Sequence, residues 1–199
     1  QTAIGGTLEV NGVLIDGAQN IFFAQLADPN LKHFSVEATK YFSGEYMIMM
    51  FGLPGAALAM YRSAKAESKK VIRSLFLSAA LTSMLTGITE PIEFAFIFVA
   101  PMLFVVDVFL AGTAFVLAHV LKVTIGFTFS CGLIDFLVFG VLQGNSKTHW
   151  VFIIVGGVMY FFLYYFSFRF LIKKFDLKTP GREDDNKLTI FNKKKMDYS

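Results

Sequence analysis

The run WVFIIVGGVMYFFLYYFSFRFLIKKF, Trp150 to Phe175, leaves this chain little choice of fold. Up to Lys173 it carries a single charge, Arg169, and about 20 apolar residues suffice for an α-helix to cross a bilayer core about 30 Å thick. Trp150 and several tyrosines suit the membrane interfaces, and Lys173-Lys174 suits a cytoplasmic anchor. Other apolar runs lie upstream, so the solvent of most of the chain is lipid. The composition agrees: 55% of the 199 residues are hydrophobic, before any glycine is counted, where globular domains reach about 45–50% with it.

The upstream runs are less regular. EYMIMMFGLPGAALAMY, from Glu45, is long enough to span but is interrupted by Gly52, Pro54 and Gly55, so its backbone needs local repair. VIRSLFLSAALTSMLTG reads as a second span, rich in the small and hydroxylated residues that suit helix–helix contact. FAFIFVAPMLFVVDVFLAG, kinked at Pro101, and TAFVLAHVLKVTIGFTF read as two more. GLIDFLVFGVL (Gly132–Leu142) is too short to cross and is a re-entrant candidate. Ahead of these, TLEVNGVLID places β-prone runs on both sides of Asn11-Gly12, a strong hairpin signal. An amphipathic helix should follow and stop at Asp28-Pro29, and Ser35 can cap another short helix. The expected fold is an all-α integral membrane protein with several spanning helices and re-entrant hairpin segments, plus a small extramembrane β-hairpin. Residues 1–44 would be extramembrane, 45–175 transmembrane, and 176–199 a polar linker with Pro180-Gly181.

Charge placement says more than the net charge of +3. Arg62, Lys65, Lys69, Lys70 and Arg73 cluster beside one span, as Lys173, Lys174 and Lys178 do beside another, which marks both as cytoplasmic. The same charges lie at the ends of apolar segments and mix with acids, so they do not read as a nucleic-acid footprint. One cysteine, Cys131, excludes an intrachain disulfide and reads as a small packed side chain. No His, Cys and carboxylate cluster has metal spacing, and no cofactor is expected. His33 and His149 fall in expected loops and read as solvated, while His119 and Lys122 read as an interface pair. No signal peptide opens the chain, which reads as a piece of something longer.

Two acids need a reason. In LTGITEPIEFAF, Glu90 and Glu93 sit inside apolar sequence, where a carboxylate costs about 2.5–3.5 kcal/mol on insertion scales. With Pro91 as the first helical residue, Glu90 would be the cap and Glu93 the third position, reaching back to the cap N–H. That reading accounts for Glu93 as capping and dipole chemistry. Glu90 lies at a backbone break, and breaks at membrane depth are tolerated only in protein or along a wet cavity. Broken helices of this kind build transporter sites. A carboxylate suits a neutral polyhydroxylated ligand, with Thr89 adding a donor and an acceptor; cation coupling is the rival use. Asp107 and Asp135, also in apolar segments, should be paired or face a cavity.

TGITEPIEF (Thr86–Phe94) resembles the signature of the membrane IIC component of the glucose superfamily of the bacterial phosphotransferase system. FGLPGAALAMY, GLIDF and DLKTPGRED stand in the family's order. QTAIGGTLEV, GAQNIFFAQLADP and KHFSVEATKYFSG look most like the maltose and α-glucoside branch. The resemblance implies a bacterial inner-membrane, multi-pass sugar permease, dimeric when complete, with a cytoplasmic C-terminus. It implies a IIB phosphocysteine that phosphorylates the sugar, making the permease part of a phosphotransferase, supplied through IIA and the phosphohistidine carrier protein. Residues 45–175 would be the C-terminal, transport half of IIC, and 176–199 the linker towards IIB. Thr89 and Glu90 would contact the sugar, with Glu90 a candidate base for the attacking hydroxyl; Glu93, Asp107 and Asp135 would support the site or the fold. Glucose-type members often carry His at the positions of Asp107 and Cys131, a departure that points away from glucose. The family's N-terminal half is absent from the chain, which is expected to be inactive alone. Rival readings are an ion-coupled transporter, and an inactive or regulatory membrane fragment.

Overall fold

The structure, a computed structural model, describes residues 6–10 and 12–182. Strands β1 (Thr7–Val10) and β2 (Val13–Asp16) pair antiparallel with Val10 opposite Val13, leaving a two-residue turn. Asn11 lies outside the described residues; Gly12 has φ of 80°, the sign that primed hairpin turns favour. Helix α1 (Ala18–Leu26) comes next and ends before Asp28-Pro29. It buries Ile21 and Phe22, and the Phe22 ring lies 4.7 Å from that of Phe34 and 5.8 Å from that of Phe139. The N-terminal elements therefore share a core with the later, more apolar ones. Helix α2 (Val36–Thr39) is capped as expected, Ser35 Oγ accepting from the Ala38 N–H at 3.3 Å.

The repair demanded by Pro54 is a change of helical register. Helix α3 (Glu45–Met47) passes into a π-helical segment (Ile48–Gly52) and then into α4 (Leu53–Ser63). The Leu53 N–H reaches back to the carbonyl of Ile48. In that i→i−5 register the next acceptor, Met49 O, faces the nitrogen of Pro54, which has no hydrogen. Ser83 of helix α5 (Lys69–Thr86) supplies the missing donor, Oγ to Met49 O at 2.6 Å. Ser83 is fully buried, so Ser83→Ala leaves a buried carbonyl unsatisfied. The expected loss is about 1–3 kcal/mol, read as a lowered unfolding temperature, with Ser74→Ala on the exposed face of α5 as the neutral control.

After α5 come α6 (Glu90–Ile97) and α7 (Pro101–Val120), then α8 (Leu133–Asp135) continuing as a π segment (Phe136–Val141), α9 (Asn145–Thr148) and α10 (Val151–Lys174). Among the described residues, α7 and α10 are the two helices long and apolar enough to cross a membrane. α5, expected to be a span, is not of that kind, because Lys69, Lys70 and Arg73 occupy its first turns. The expected pair of spans over Phe94–Phe129 is also corrected. Pro101 starts a new helix rather than kinking one, and α7 runs across the junction and stops at Val120. Beyond it the chain is non-helical to Gly132.

That irregular stretch is legal in an apolar setting because its polar backbone is answered from elsewhere. Tyr46 Oη donates to Gly126 O at 2.5 Å, and Ser43 Oγ accepts the Ile125 N–H at 3.1 Å. The Thr124 N–H donates to Thr148 O at 3.0 Å, and its hydroxyl to Lys147 O at 2.7 Å. His33 and His149, expected to be solvated, are instead packed edge to face with centroids 4.8 Å apart. Their Nδ1 atoms meet the carbonyls of Phe34 at 2.7 Å and Lys122 at 3.1 Å. Helix α10 lies along α4 and the π segment before it. The contact is close enough that a Cβ on Gly55 would sit 2.4 Å from Phe161 O, the small-residue packing that brings helix backbones together in membranes.

Candidate functional site

The GITEP segment sits where α5 ends and α6 begins. Gly87 terminates α5 in the left-handed conformation, φ 75°, its N–H on Ser83 O at 2.9 Å. Its carbonyl accepts from Ser130 Oγ at 2.7 Å. The two backbones touch: a Cβ on Gly87 would lie 1.4 Å from Ser130 O, and one on Gly132 would lie 2.5 Å from Thr86 C. So the loop carrying Thr89 and Glu90 is held against the loop 128–132.

Asp135 holds that second loop. Its Oδ2 accepts the N–H groups of Thr128, Phe129 and Ser130 at 3.1, 3.0 and 3.2 Å, and its Oδ1 accepts the Thr128 hydroxyl at 2.8 Å. Asp135 is buried, and its carboxylate answers donors that helix and sheet leave unpaired. Asp135→Ala is expected to cost about 3 kcal/mol or more, since several buried N–H groups lose their acceptor together; thermal unfolding in detergent measures it. Asp107, on α7, is buried and paired: Tyr164 Oη on α10 donates to its Oδ1 at 2.9 Å. Both aspartates are thus occupied by the fold.

Thr89 and Glu90 are placed differently. The helix starts one residue earlier than the sequence suggests: Thr89 is the cap, and its carbonyl accepts the N–H groups of Ile92 at 2.9 Å and Glu93 at 3.1 Å. Glu90 is the first helical residue and Pro91 the second, so Glu93 is fourth and the expected reach of Glu93 to the cap N–H does not form. One residue of offset undoes it, because a capping box needs the acid at the third position. Both acids still lie in the first turn of α6, where the exposed N–H groups carry partial positive charge. Glu90 is exposed, Glu93 half-buried, and Thr89 buried. Among the described residues, neither carboxylate is held by a hydrogen bond or ion pair.

The sequence separated Glu90 from Glu93 by a capping role that Glu93 does not take, and it did not mark the partners that fix the loop. Ser83, Ser130 and Thr128 look like ordinary helix-contact residues in the sequence. Cys131 is fully buried, as a small packed side chain. No group of three or more His, Cys, Asp or Glu among the described residues could hold a metal ion.

The profile of the family described as Phosphotransferase system, EIIC, matches residues 1–112. The chain is 53% identical over 173 residues to the glucose-specific EIICBA component of the PTS system of Staphylococcus saprophyticus, covering 87% of this chain and 25% of the relative. It is 51% identical over 173 residues to the component of the same name from Staphylococcus carnosus, with the same coverage. The glucoside-specific EIICBA component of Staphylococcus carnosus is 51% identical over 180 residues, covering 90% of this chain and 25% of the relative. The chain spans about a quarter of the length of these relatives.

Proposed function

Because the chain belongs to the phosphotransferase-system EIIC family, we propose that it forms the sugar-binding, translocating half of a membrane IIC unit. One observation carries the reading. Asp107 and Asp135 are consumed by internal hydrogen bonds, while Glu90 stands exposed at a helix start and its carboxylate, like that of the half-buried Glu93, is bonded to no other described residue. An acid inside apolar sequence is a candidate for function, and Glu90, exposed at the helix start, is the one we assign to a ligand. The ligand is a neutral sugar: Glu90 accepts hydrogen bonds from its hydroxyls, each worth about 1.5–3 kcal/mol when one partner is charged, and Thr89 contributes beside it. The relatives' names divide between glucose and glucosides, which favours a glucopyranosyl ring as the shared element. The maltose- and α-glucoside-type sugars expected from the N-terminal strings carry that ring too.

In this reading residues 45–175 are the transport half, residues 1–44 an extramembrane cover, and 176–199 the start of a cytoplasmic linker to IIB. Residues 183–199 lie outside the described residues. Glu90 offers one wall of the site; the other wall belongs to an N-terminal half. A IIB phosphocysteine, recharged through IIA and the phosphohistidine carrier, transfers its phosphoryl group to the sugar, and Glu90 takes the hydroxyl proton. The complete permease is a homodimer in the bacterial cell membrane, with the helix at Gly132–Leu142 re-entrant.

A second reading has a specific support. Glu93 and Asp107 lie on helices α6 and α7, which pack against each other, and carboxylates on adjacent helices suit a proton-coupled carrier. Uptake by cells carrying the complete gene product decides. Phosphoenolpyruvate-dependent uptake that delivers phosphorylated sugar supports the permease. Uptake that a protonophore abolishes, with free sugar inside, supports the carrier.

A further inference from the structure

The end of α10 makes contacts that sugar binding does not require. The helix closes in a left-handed turn: the Phe175 N–H reaches Leu171 O at 3.0 Å, the Leu177 N–H reaches Ile172 O at 3.1 Å, and Asp176 has φ of 47°. This is the Schellman arrangement, with aspartate where glycine is commoner. The chain then runs back over the loop joining α4 to α5 instead of leaving the surface. The Lys65 N–H donates to Gly181 O at 3.0 Å, and the Arg182 N–H to Thr179 O at 2.9 Å. Gly181, φ 82°, lies so close that a Cβ would meet Ile72 at 2.7 Å and Ala64 at 2.9 Å. Thr179 is fully buried.

Arg182 ties these pieces together. Its guanidinium donates to Ser63 O at 2.8 Å, to Leu177 O at 3.2 Å and to the Asp176 carboxylate. The other oxygen of Asp176 takes Lys178 Nζ at 2.8 Å. Hydrogen bonding from Lys178, and then from Arg182, holds the Asp176 carboxyl below the usual carboxylate range. A planar guanidinium holds several donors in one rigid fork that reaches three acceptors spread around it; a lysine offers three donors from a single point, without the fork.

We propose that residues 175–182 are a strap, locked by Arg182, that fixes where the chain leaves the membrane unit, and that Arg182 is a positioning residue for the phosphoryl-donating domain beyond it. The strap stands on its own hydrogen bonds and close contacts; the phosphoryl-donating character of that domain rests on the proposed permease function. A strapped tether starts from the α4–α5 loop, where Lys65 is joined by Arg62 at the end of α4 and by Lys69 and Lys70 at the start of α5. A released one starts from the end of α10 and is longer, and effective concentration falls with tether length.

The test uses the full-length protein in detergent, comparing wild type with Arg182→Gln and Arg182→Lys. In hydrogen exchange, Arg182→Gln speeds the segments 63–70 and 175–182 together, by about tenfold, with Arg182→Lys in between. Sugar affinity stays within about twofold, while kcat for sugar phosphorylation falls about two- to fivefold at unchanged KM for sugar. Unchanged exchange in segment 63–70 overturns the lock. Faster exchange with unchanged kcat overturns the positioning role. Should wild type transfer no phosphoryl group from phosphoenolpyruvate, the functional reading has failed, and the exchange result alone decides the strap.

Discussion

Replacing Gly87 with alanine is expected to dismantle the loop that carries the candidate site. Two effects combine. The residue sits at φ 75°, where a Cβ costs about 1–2 kcal/mol. The larger effect is steric, because that Cβ would lie 1.4 Å from the Ser130 carbonyl oxygen, well inside any van der Waals contact. The two backbones must separate, which breaks the hydrogen bond from Ser130 Oγ to Gly87 O and exposes the loop that Asp135 organises. The loss should exceed about 4 kcal/mol, the range reserved for backbone and core failures. For a chain of this size that lowers the unfolding temperature by about 8–16 °C. Gly112→Ala is the matched control, since it lies within α7 and nothing is within 4 Å of the added carbon. There the change should be neutral or stabilising by a fraction of about 1 kcal/mol. Equal behaviour of the two variants would mean that the loops at Gly87 and Ser130 are not in contact.

The elements legible in the sequence are those with local signals. α10 announces itself by its apolar length, the hairpin by Asn-Gly, α2 by Ser35, and the register change before α4 by Pro54. The start of α6 is legible to within one residue, and that residue decides whether Glu93 can cap. The illegible elements depend on partners far along the chain. Lys122–Phe129 has the composition of a span and is not helical, because Ser43, Tyr46 and Thr148 answer its backbone from other segments. Asp107 finds Tyr164, and His33 finds His149, with no periodicity to predict either meeting. Of the site, the sequence marked Thr89 and Glu90; in the fold Thr89 caps α6, and neither the Glu90 nor the Glu93 carboxylate is bonded to a described residue. The surroundings that hold them, Ser83, Ser130 and Asp135, needed the structure.

That division of labour makes Glu90 the residue on which the functional account turns. Glu90→Gln keeps the shape of the side chain and removes its charge. Glu90 is exposed and bonded to no described residue, so stability should change by less than about 0.5 kcal/mol. A charge-assisted hydrogen bond to a sugar is worth about 1.5–3 kcal/mol, so affinity should fall about 10- to 100-fold. Glu93→Gln, three residues further along α6, should leave affinity within about threefold, because Glu93 is half-buried where Glu90 is exposed and is not assigned a sugar contact. The deciding measurement is calorimetric titration of the full-length protein and its Glu90→Gln variant with glucose, maltose and a further α-glucoside. The sugar bound by the wild type is expected to bind Glu90→Gln at least tenfold more weakly, at an unchanged unfolding temperature. Wild-type affinity in that variant would contradict it.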